Sequence, residues 1–373
     1  MTEYVYGLSK SGLSVIKLLR LQKKFFDCWD DSKKIRDSLK KKYSQLNFIS
    51  INNTNLDRYN NIYLTPGVSI FDKKLLEVSK SKFKRDLNLY YQNIKNEKIL
   101  AITGTNGKST TTKLIGNILK RKFKNTFVGG NIGNALCNSL VNKSRFSYHV
   151  IELSSFQLET IKNFEPKISI ILNLSKDHLD RYKNFKDYIN AKKNILNSKS
   201  KNINLISIDD KYSKKIFNDN KIKNKISFSL NDNRADIYAS NGFIVDRYFY
   251  KHKRFKLTNI SLDLSNNYNI QNILSAYIVC KYLKIPIKYF KESVKKFRGL
   301  PFRSSIVFNS KSKIIINNSK ATNVSSALLT LDNKENIYLI LGGIAKKKDE
   351  FHNFNKYKDR INKIYIYGKS RTS

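Results

Sequence analysis

From the start of the chain to about Tyr91, short apolar runs alternate with stretches whose apolar residues recur at helical spacing. Tyr4–Tyr6, Phe25–Trp29, Asn47–Ile51 and Ile62–Leu64 are the short runs, and Gly12–Leu21 is the clearest helix-like stretch. Alternation of this kind predicts a small parallel sheet with crossover helices. The polar, lysine-rich stretch Leu87–Lys98 then reads as a linker. A second region extends to about Phe297 and repeats the pattern, with strands expected at Ile99–Thr103, Tyr148–Leu153, Ile168–Leu172 and Ile203–Ile208. Segment Phe297–Arg303, which carries Gly299 and Pro301, reads as a second linker. Strands are expected beyond it at Ile314–Asn317, Ile337–Leu341 and Ile364–Tyr367. The chain therefore reads as α/β in three parts, residues 1–91, 92–298 and 299–373, without internal repeats.

Composition narrows the function classes. The 373 residues, 40% of them hydrophobic, suffice for two or three cores. Mean hydropathy is −0.49, and no apolar run has the length a bilayer requires. Glu3, Lys17 and Arg20 interrupt what a secretory leader would need, so a cytoplasmic location is expected. Cys28, Cys137 and Cys280 are too few and too scattered for a disulfide framework or a CxxC zinc site. The net charge of +42 invites a nucleic-acid reading. Lysines are spread through almost every segment, however, and no base-reading motif accompanies them. No nucleic-acid partner and no membrane are expected, although a positive field favours anionic small substrates.

Three clusters carry chemistry. The first is GTNGKST, Gly104–Thr110, placed between the apolar run Ile99–Ile102 and the helix-like Thr110–Lys120. Strand, glycine-rich loop, Lys-Ser and helix is the context of a phosphate-binding loop. Gly104 and Gly107 let backbone N–H groups turn towards phosphate oxygens, Lys108 meets the β- and γ-phosphates, and Ser109 offers a hydroxyl to Mg²⁺. The second is ELSSFQLE, where Glu152 ends a strand and faces a ligand crevice, as a metal ligand or as a solvated acid. The third, NLSKDHLDRY, places His178 at a strand-to-helix junction, as a structural residue or a ligand. A weaker signal is the turn from Gly7 to Gly12 with Asp30 after the next strand. It fits either a tight turn or a phosphate approach with Asp30 on a sugar or base edge.

The ordered set GTNGKST, GGNIG (Gly129–Gly133), ELSSFQLE, NLSKDHLDRY and YINAK (Tyr188–Lys192) resembles the Mur ligases of peptidoglycan synthesis. NNYNIQNILSAY (Asn266–Tyr277), FRGLPFR (Phe297–Arg303), NSKATN (Asn318–Asn323) and LGG (Leu341–Gly343) extend the resemblance over essentially the whole chain. ELSSFQLE, GLPFR and SKATN point within that family to the branch that joins D-glutamate to UDP-N-acetylmuramoyl-L-alanine. The resemblance implies three domains: a Rossmann-like N-terminal one, a central P-loop ATPase-like parallel sheet, and an incomplete Rossmann-like C-terminal one.

The resemblance also implies roles. ATP would lie on Gly104, Thr105, Asn106, Gly107, Lys108, Ser109 and Thr110, with Asn269, Asn272 and Arg303. Mg²⁺ would be held by Ser109, Glu152, His178 and Lys192, the last matching a lysine that becomes carbamylated in the family. Lys108, Glu152, His178 and Lys192 form the implied catalytic set. Thr65, Pro66, Gly67 and Asn131 would face the UDP-linked substrate, where Gly12 and Asp30 of the weaker turn signal are also expected, and Lys320 and Thr322 would hold D-glutamate. The implied mechanism is an acyl phosphate attacked by the amine, carried out by a monomer. Tyr268, Phe302 and Asn318 depart from the family's histidine, histidine and aspartate. The third part also ends early, at Ser373, which leaves a fragment, a split protein and an inactive homologue as expectations. Alternatives are another amide ligase of the superfamily, a basic nucleic-acid-binding protein with an incidental P-loop, and a non-catalytic binding subunit.

Overall fold

The computed structural model describes residues 2–141, 145–179, 181–196, 202–332, 334–344 and 351–368. The first sheet comprises β1 (Thr2–Tyr6), β2 (Phe25–Trp29), β3 (Ile62–Leu64) and β4 (Phe83–Lys84), in the order β2-β1-β3-β4 and parallel throughout. Helix α1 (Lys10–Leu21) crosses from β1 to β2, and α2 (Lys33–Lys42) follows β2. Gly12 starts α1 where the chain leaves no space. A Cβ there would lie 2.0 Å from the Gly7 carbonyl oxygen and 2.9 Å from the Thr65 methyl. The Gly7-to-Gly12 turn is thus a tight packing joint between α1 and the β3 end. The apolar run Asn47–Ile51 makes only an isolated bridge, Cys28 to Phe48. Leu46 and Ile51 bury themselves without a ladder.

The first part of Leu87–Lys98 is not solvated, whereas Lys95, Asn96 and Lys98 are exposed. Asp86–Gln92 forms helix α3, in which Leu87, Leu89 and Tyr90 are fully buried. Asn88 is buried with them and paired with Thr160, as the preceding Asp86 is with Gln157. Packing and satisfied hydrogen bonds override the local polarity here.

The second sheet begins with β5 (Lys98–Thr103) and α4 (Lys108–Lys122), then β6 (Thr126–Gly130), α5 (Asn138–Val141), β7 (Tyr148–Glu152), α6 (Ser155–Leu158) and β8 (Ile168–Ile171). It continues with α7 (Phe185–Lys193), β9 (Ile203–Ser207), α8 (Lys211–Phe217), β10 (Lys225–Ser229), β11 (Ile237–Ser240), β12 (Phe243–Asp246) and β13 (Lys253–Lys256). Helices α9 (Tyr268–Tyr282) and α10 (Ile287–Lys295) close it. The order is β13-β12-β11-β10-β9-β8-β5-β7-β6, parallel from β11 to β6 and antiparallel at the β11–β12–β13 end. Strands β5, β7 and β8 are apolar along almost their whole length because helices cover both faces. One face packs on α4 and α9, the other on α1, α3 and the segment after α6.

Residues 305–368 contribute the antiparallel pair β14 (Ser305–Asn309) and β15 (Ile314–Asn317), the helix α11 (Val324–Leu328), and the parallel pair β16 (Ile337–Gly342) and β17 (Ile361–Tyr367). Between Phe297 and Arg303 the chain has neither helix nor strand, and Phe297 itself is buried in the core of the second sheet.

One buried group makes core stability pH-dependent. His149 on β7 is 1% exposed, with its Nδ1 2.9 Å from the Tyr90 hydroxyl and its ring among Phe127 and Phe146. Burial pushes its pKa down to about 4, against a smaller opposing pull from Glu97. An unfolded chain regains an ordinary imidazole, so below pH ~6.5 it takes up a proton the folded protein refuses. Stability attributable to His149 is complete above pH ~6.5 and is lost as pH falls towards 4. Between pH 7 and 5 the loss amounts to about 2 kcal/mol. Urea unfolding at both pH values should show that drop in the wild type, and a drop smaller by this amount in His149→Gln.

Candidate functional site

The loop between β5 and α4 sets the geometry. Gly107 stands at φ +82° immediately before α4, and a Cβ there would come within 2.5 Å of the Asn272 Oδ1. Glycine is therefore required both for the left-handed backbone and for the approach of α9. Asn272 in turn accepts from the Thr111 hydroxyl at 2.9 Å and donates to Asn269 Oδ1 at 2.9 Å. Asn269 donates to the Asp263 carbonyl. The opposite wall of the loop is braced by Asn173, whose Oδ1 accepts from the Asn106 N–H at 2.8 Å and whose Nδ2 donates to the Asn106 carbonyl and to Gln271. Thr105 joins the same frame through the Tyr188 hydroxyl, 3.1 Å away.

Charged groups converge inside this frame. Lys108 donates to the Gly104 and Thr105 carbonyls at 2.9 and 2.7 Å. Lys192, 2% exposed, donates to the same Gly104 carbonyl at 2.7 Å and approaches Thr103 Oγ1 at 3.3 Å. Burial, and then the neighbouring Lys108 ammonium, holds the Lys192 amine well below the ordinary lysine range. Burial also lowers Lys108, with Glu152 pulling the other way. Glu152 is fully buried at the end of β7; its Oε2 accepts from the Ser109 hydroxyl at 2.6 Å, and its Oε1 accepts from Asn131 Nδ2 at 2.8 Å. His178 sits at φ +54°, edge-on to Phe156, with its Nε2 3.6 Å from Asp177 Oδ2.

These residues open onto a cleft of about 520 Å³. Thr105, Asn106, Gly107, Lys108, Ser109, Thr110, Asn131, Glu152, His178 and Lys192 line it from the second sheet, joined by Asn269, Asn272 and Arg303. Pro66 and Gly67 enter from the first sheet, and Lys320 and Thr322 enter from the turn after β15. Gly104 contributes its carbonyl rather than cleft surface. Gly12, Asp30 and Thr65 do not line the cleft, and each has a structural duty. Gly12 is the packing joint described above. Asp30 accepts from the Leu8 N–H at 2.7 Å and the Ser32 N–H at 2.9 Å. Thr65 is buried against Gly7.

Among the described residues no three or more His, Cys, Asp or Glu side chains converge as a closed cage for a metal. That donor count does not oppose magnesium, which keeps several waters and takes one or two protein oxygens beside phosphate oxygens. The adjoining hydroxyl of Ser109 and carboxylate of Glu152 are hard oxygens of the right kind, so the residues fit.

Sequence reasoning did not single out Asp177 or Arg181, both of which line the cleft. Asp177 accepts from Asn323 at 3.1 Å, and Arg181 donates to the Gly67 carbonyl at 3.2 Å over the Phe156 ring. Their place in the same short segment as His178 was the available signal. Asn318, a departure from the family pattern, is fully occupied as an amide. Its Oδ1 accepts from the Ser304 N–H at 3.1 Å, while its Nδ2 donates to the Ser326 carbonyl at 3.1 Å and the Thr330 hydroxyl at 2.7 Å. A carboxylate would face the Ser326 carbonyl with no proton to offer. Asn318→Asp is therefore expected to cost about 1–2 kcal/mol of local stability, read as faster hydrogen exchange of the 318–330 segment. Unchanged exchange would overturn that account. Phe302 takes a left-handed backbone at φ +65° with half its side chain exposed, and Tyr268 lines the cleft at the start of α9.

The comparisons with known proteins agree with this geometry. A family model described as the Mur ligase middle domain matches residues 102–280. The UDP-N-acetylmuramoylalanine–D-glutamate ligase of Rickettsia bellii is 33% identical over 376 residues, covering 98% of this chain and 82% of that one. The Clostridioides difficile protein of the same name is 30% identical, with 98% and 83% covered. Among solved structures, the UDP-N-acetylmuramate–alanine ligase of Thermotoga maritima superposes with a TM-score of 0.59 at 18% identity, covering 98% of this chain and 85% of that one. The MurF ligase of the same organism, in complex with ADP, superposes at 0.58 and 17% identity over 98% and 81%. The solved structures carry the fold and the sequence relatives carry the membership: the chain belongs to the Mur ligase family, with the UDP-N-acetylmuramoylalanine–D-glutamate ligases.

Proposed function

We propose that the chain is an ATP-dependent amide ligase that joins the α-amine of D-glutamate to the alanine carboxylate of UDP-N-acetylmuramoyl-L-alanine. The observation that carries this reading is the convergence, in one cleft, of a phosphate-binding loop with residues of the first sheet and of the turn after β15. ATP lies along the loop, with Lys108 leaving the Gly104 and Thr105 carbonyls to meet the β- and γ-phosphates. Asn269, Asn272 and Arg303 stand on the nucleotide side. Ser109 and Glu152, with His178 and Lys192 nearby, would hold magnesium, which when bound supplies positive charge to the phosphate oxygens.

The reaction divides into two steps. The alanine carboxylate, presented from the side of Pro66, Gly67 and Asn131, attacks the γ-phosphorus, and ADP leaves. Lys108 and Arg303 counter the negative charge on the phosphoryl oxygens. The neutral amine of D-glutamate, placed by Lys320 and Thr322, then attacks the acyl carbon. Phosphate leaves and a proton is lost from nitrogen, which yields the amide. Enclosure between the three parts of the chain orients the reactants and keeps water from the acyl phosphate.

The deciding experiment supplies ATP, MgCl2, UDP-N-acetylmuramoyl-L-alanine and D-glutamate to the purified chain. Phosphate release that requires all four, together with a product one glutamate heavier, is expected. Equal turnover with L-glutamate or other amino acids would move the chain to another amide ligase of the superfamily.

A further inference from the structure

Arg85 precedes α3 and belongs to none of the motifs above. It is the largest fully buried side chain among the described residues, at 0% exposure. Its Nη1 donates to the carbonyls of Leu64, Thr65 and Val68 at 3.0, 2.6 and 3.0 Å, and its Nη2 donates to Val68 at 3.0 Å. The same Nη2 is paired with the carboxylate of Glu159. Four donor contacts therefore gather the turn that carries Pro66 and Gly67. The fifth, an ion pair fully buried at its arginine end, fixes that turn to the segment that follows α6. Glu159 closes ELSSFQLE, whose Glu152, Ser154, Ser155 and Phe156 form the cleft wall.

We propose that Arg85 is a positioning residue that sets the Pro66–Gly67 turn of the first sheet at a fixed height over the catalytic cleft, with Glu159 as its anchor. A guanidinium suits this task because its planar fork can serve several carbonyls and a carboxylate at once, whereas a lysine ammonium cannot span them. With its guanidinium fully buried, the pair also resists opening, since separating it would leave a desolvated charge on Arg85. Arg181 meets a further carbonyl of the turn, that of Gly67, from the cleft side. The turn's carbonyls are thus drawn towards two cations of the surrounding protein. Asp86–Gln157 and Asn88–Thr160 continue the seam, so α3 and the α6 segment move as one piece.

The functional half of this inference rests on the proposed ligase reading, in which the turn faces the UDP-linked substrate. Two variants test it, Arg85→Lys and Glu159→Gln, the second keeping volume and an acceptor should the first fail to fold. In turnover assays both are expected to raise KM for UDP-N-acetylmuramoyl-L-alanine by about tenfold or more. KM for ATP and for D-glutamate, and kcat at saturation, should stay within about threefold. Hydrogen exchange gives a readout that needs no substrate. The amides of Thr65 and Val68, bonded to Tyr6 and Thr65 carbonyls, should lose protection together with residues 154–160 in either variant. A wild type that makes no product sinks the ligase reading, and exchange alone then decides the clamp. Unchanged exchange in folded variants, or KM values for all three substrates rising in step, overturns the assignment of Arg85.

Discussion

Lys108→Ala is expected to lower kcat/KM for ATP-dependent ligation by about a thousandfold or more, a loss of about 4 kcal/mol of transition-state stabilisation. Lys108 is the one ammonium in the described cleft that follows the phosphate-binding glycines directly, and without phosphate it has only the Gly104 and Thr105 carbonyls to bond. Its ammonium is held at a cost, because burial lowers its pKa and α4 begins beneath it with the positive end of its dipole. The sign follows. The unfolded lysine binds its proton more tightly than the folded one, so near neutral pH the charge disfavours the ligand-free fold. Alanine at this position should therefore leave the melting temperature of the ligand-free protein unchanged or raise it. Loss of activity with retained or increased stability separates a phosphate-binding role from a structural one. Ligation within tenfold of wild type would end the proposal that this loop carries ATP.

How much of this was legible in the sequence depended on the range of the interactions. The β5 loop and its lysine were readable because phosphate binding is encoded in seven consecutive residues between a strand and a helix. Glu152 was readable as a strand-end position, since the carboxyl ends of parallel strands gather at one edge of a sheet, and His178 lies on the loop that leaves that edge between β8 and α7. The start of Leu87–Lys98 was misread because its polarity is local while the partner of Asn88, Thr160, lies about seventy residues away. Arg85 stayed invisible for the same reason. Among 71 lysines and arginines, nothing near it in sequence distinguishes the one that bonds to the turn after β3 and to Glu159. Asp30 shows a local duty that the sequence did not reveal. Its position after β2 suggested a ligand contact, and its oxygens also accept the Leu8 and Ser32 N–H groups, which holds the strand-to-helix turns together.

Lys192 carries the second large expected effect. Its amine and that of Lys108 face the same Gly104 carbonyl in a desolvated site, an arrangement that two ammonium groups tolerate poorly. An amine whose proton is held less tightly because of burial can, once deprotonated, attack CO2, forming an N–C bond, releasing a proton and leaving a carbamate anion. The anion would pair with the Lys108 ammonium and offer oxygen towards Ser109 and Glu152, which reverses the electrostatics of the site. Lys192→Arg makes the test sharp. Arginine preserves length and cationic character, cannot be deprotonated in a protein and cannot form the carbamate. If the working group is anionic, this conservative-looking change should reduce kcat by about a hundredfold or more. Wild-type activity should also fall in CO2-depleted buffer and return on addition of bicarbonate, and the variant should show no such response. Retained activity in Lys192→Arg, within a fewfold of wild type, would mean that Lys192 acts as a buried structural amine and that the magnesium ligands must be sought among Ser109, Glu152 and His178 alone.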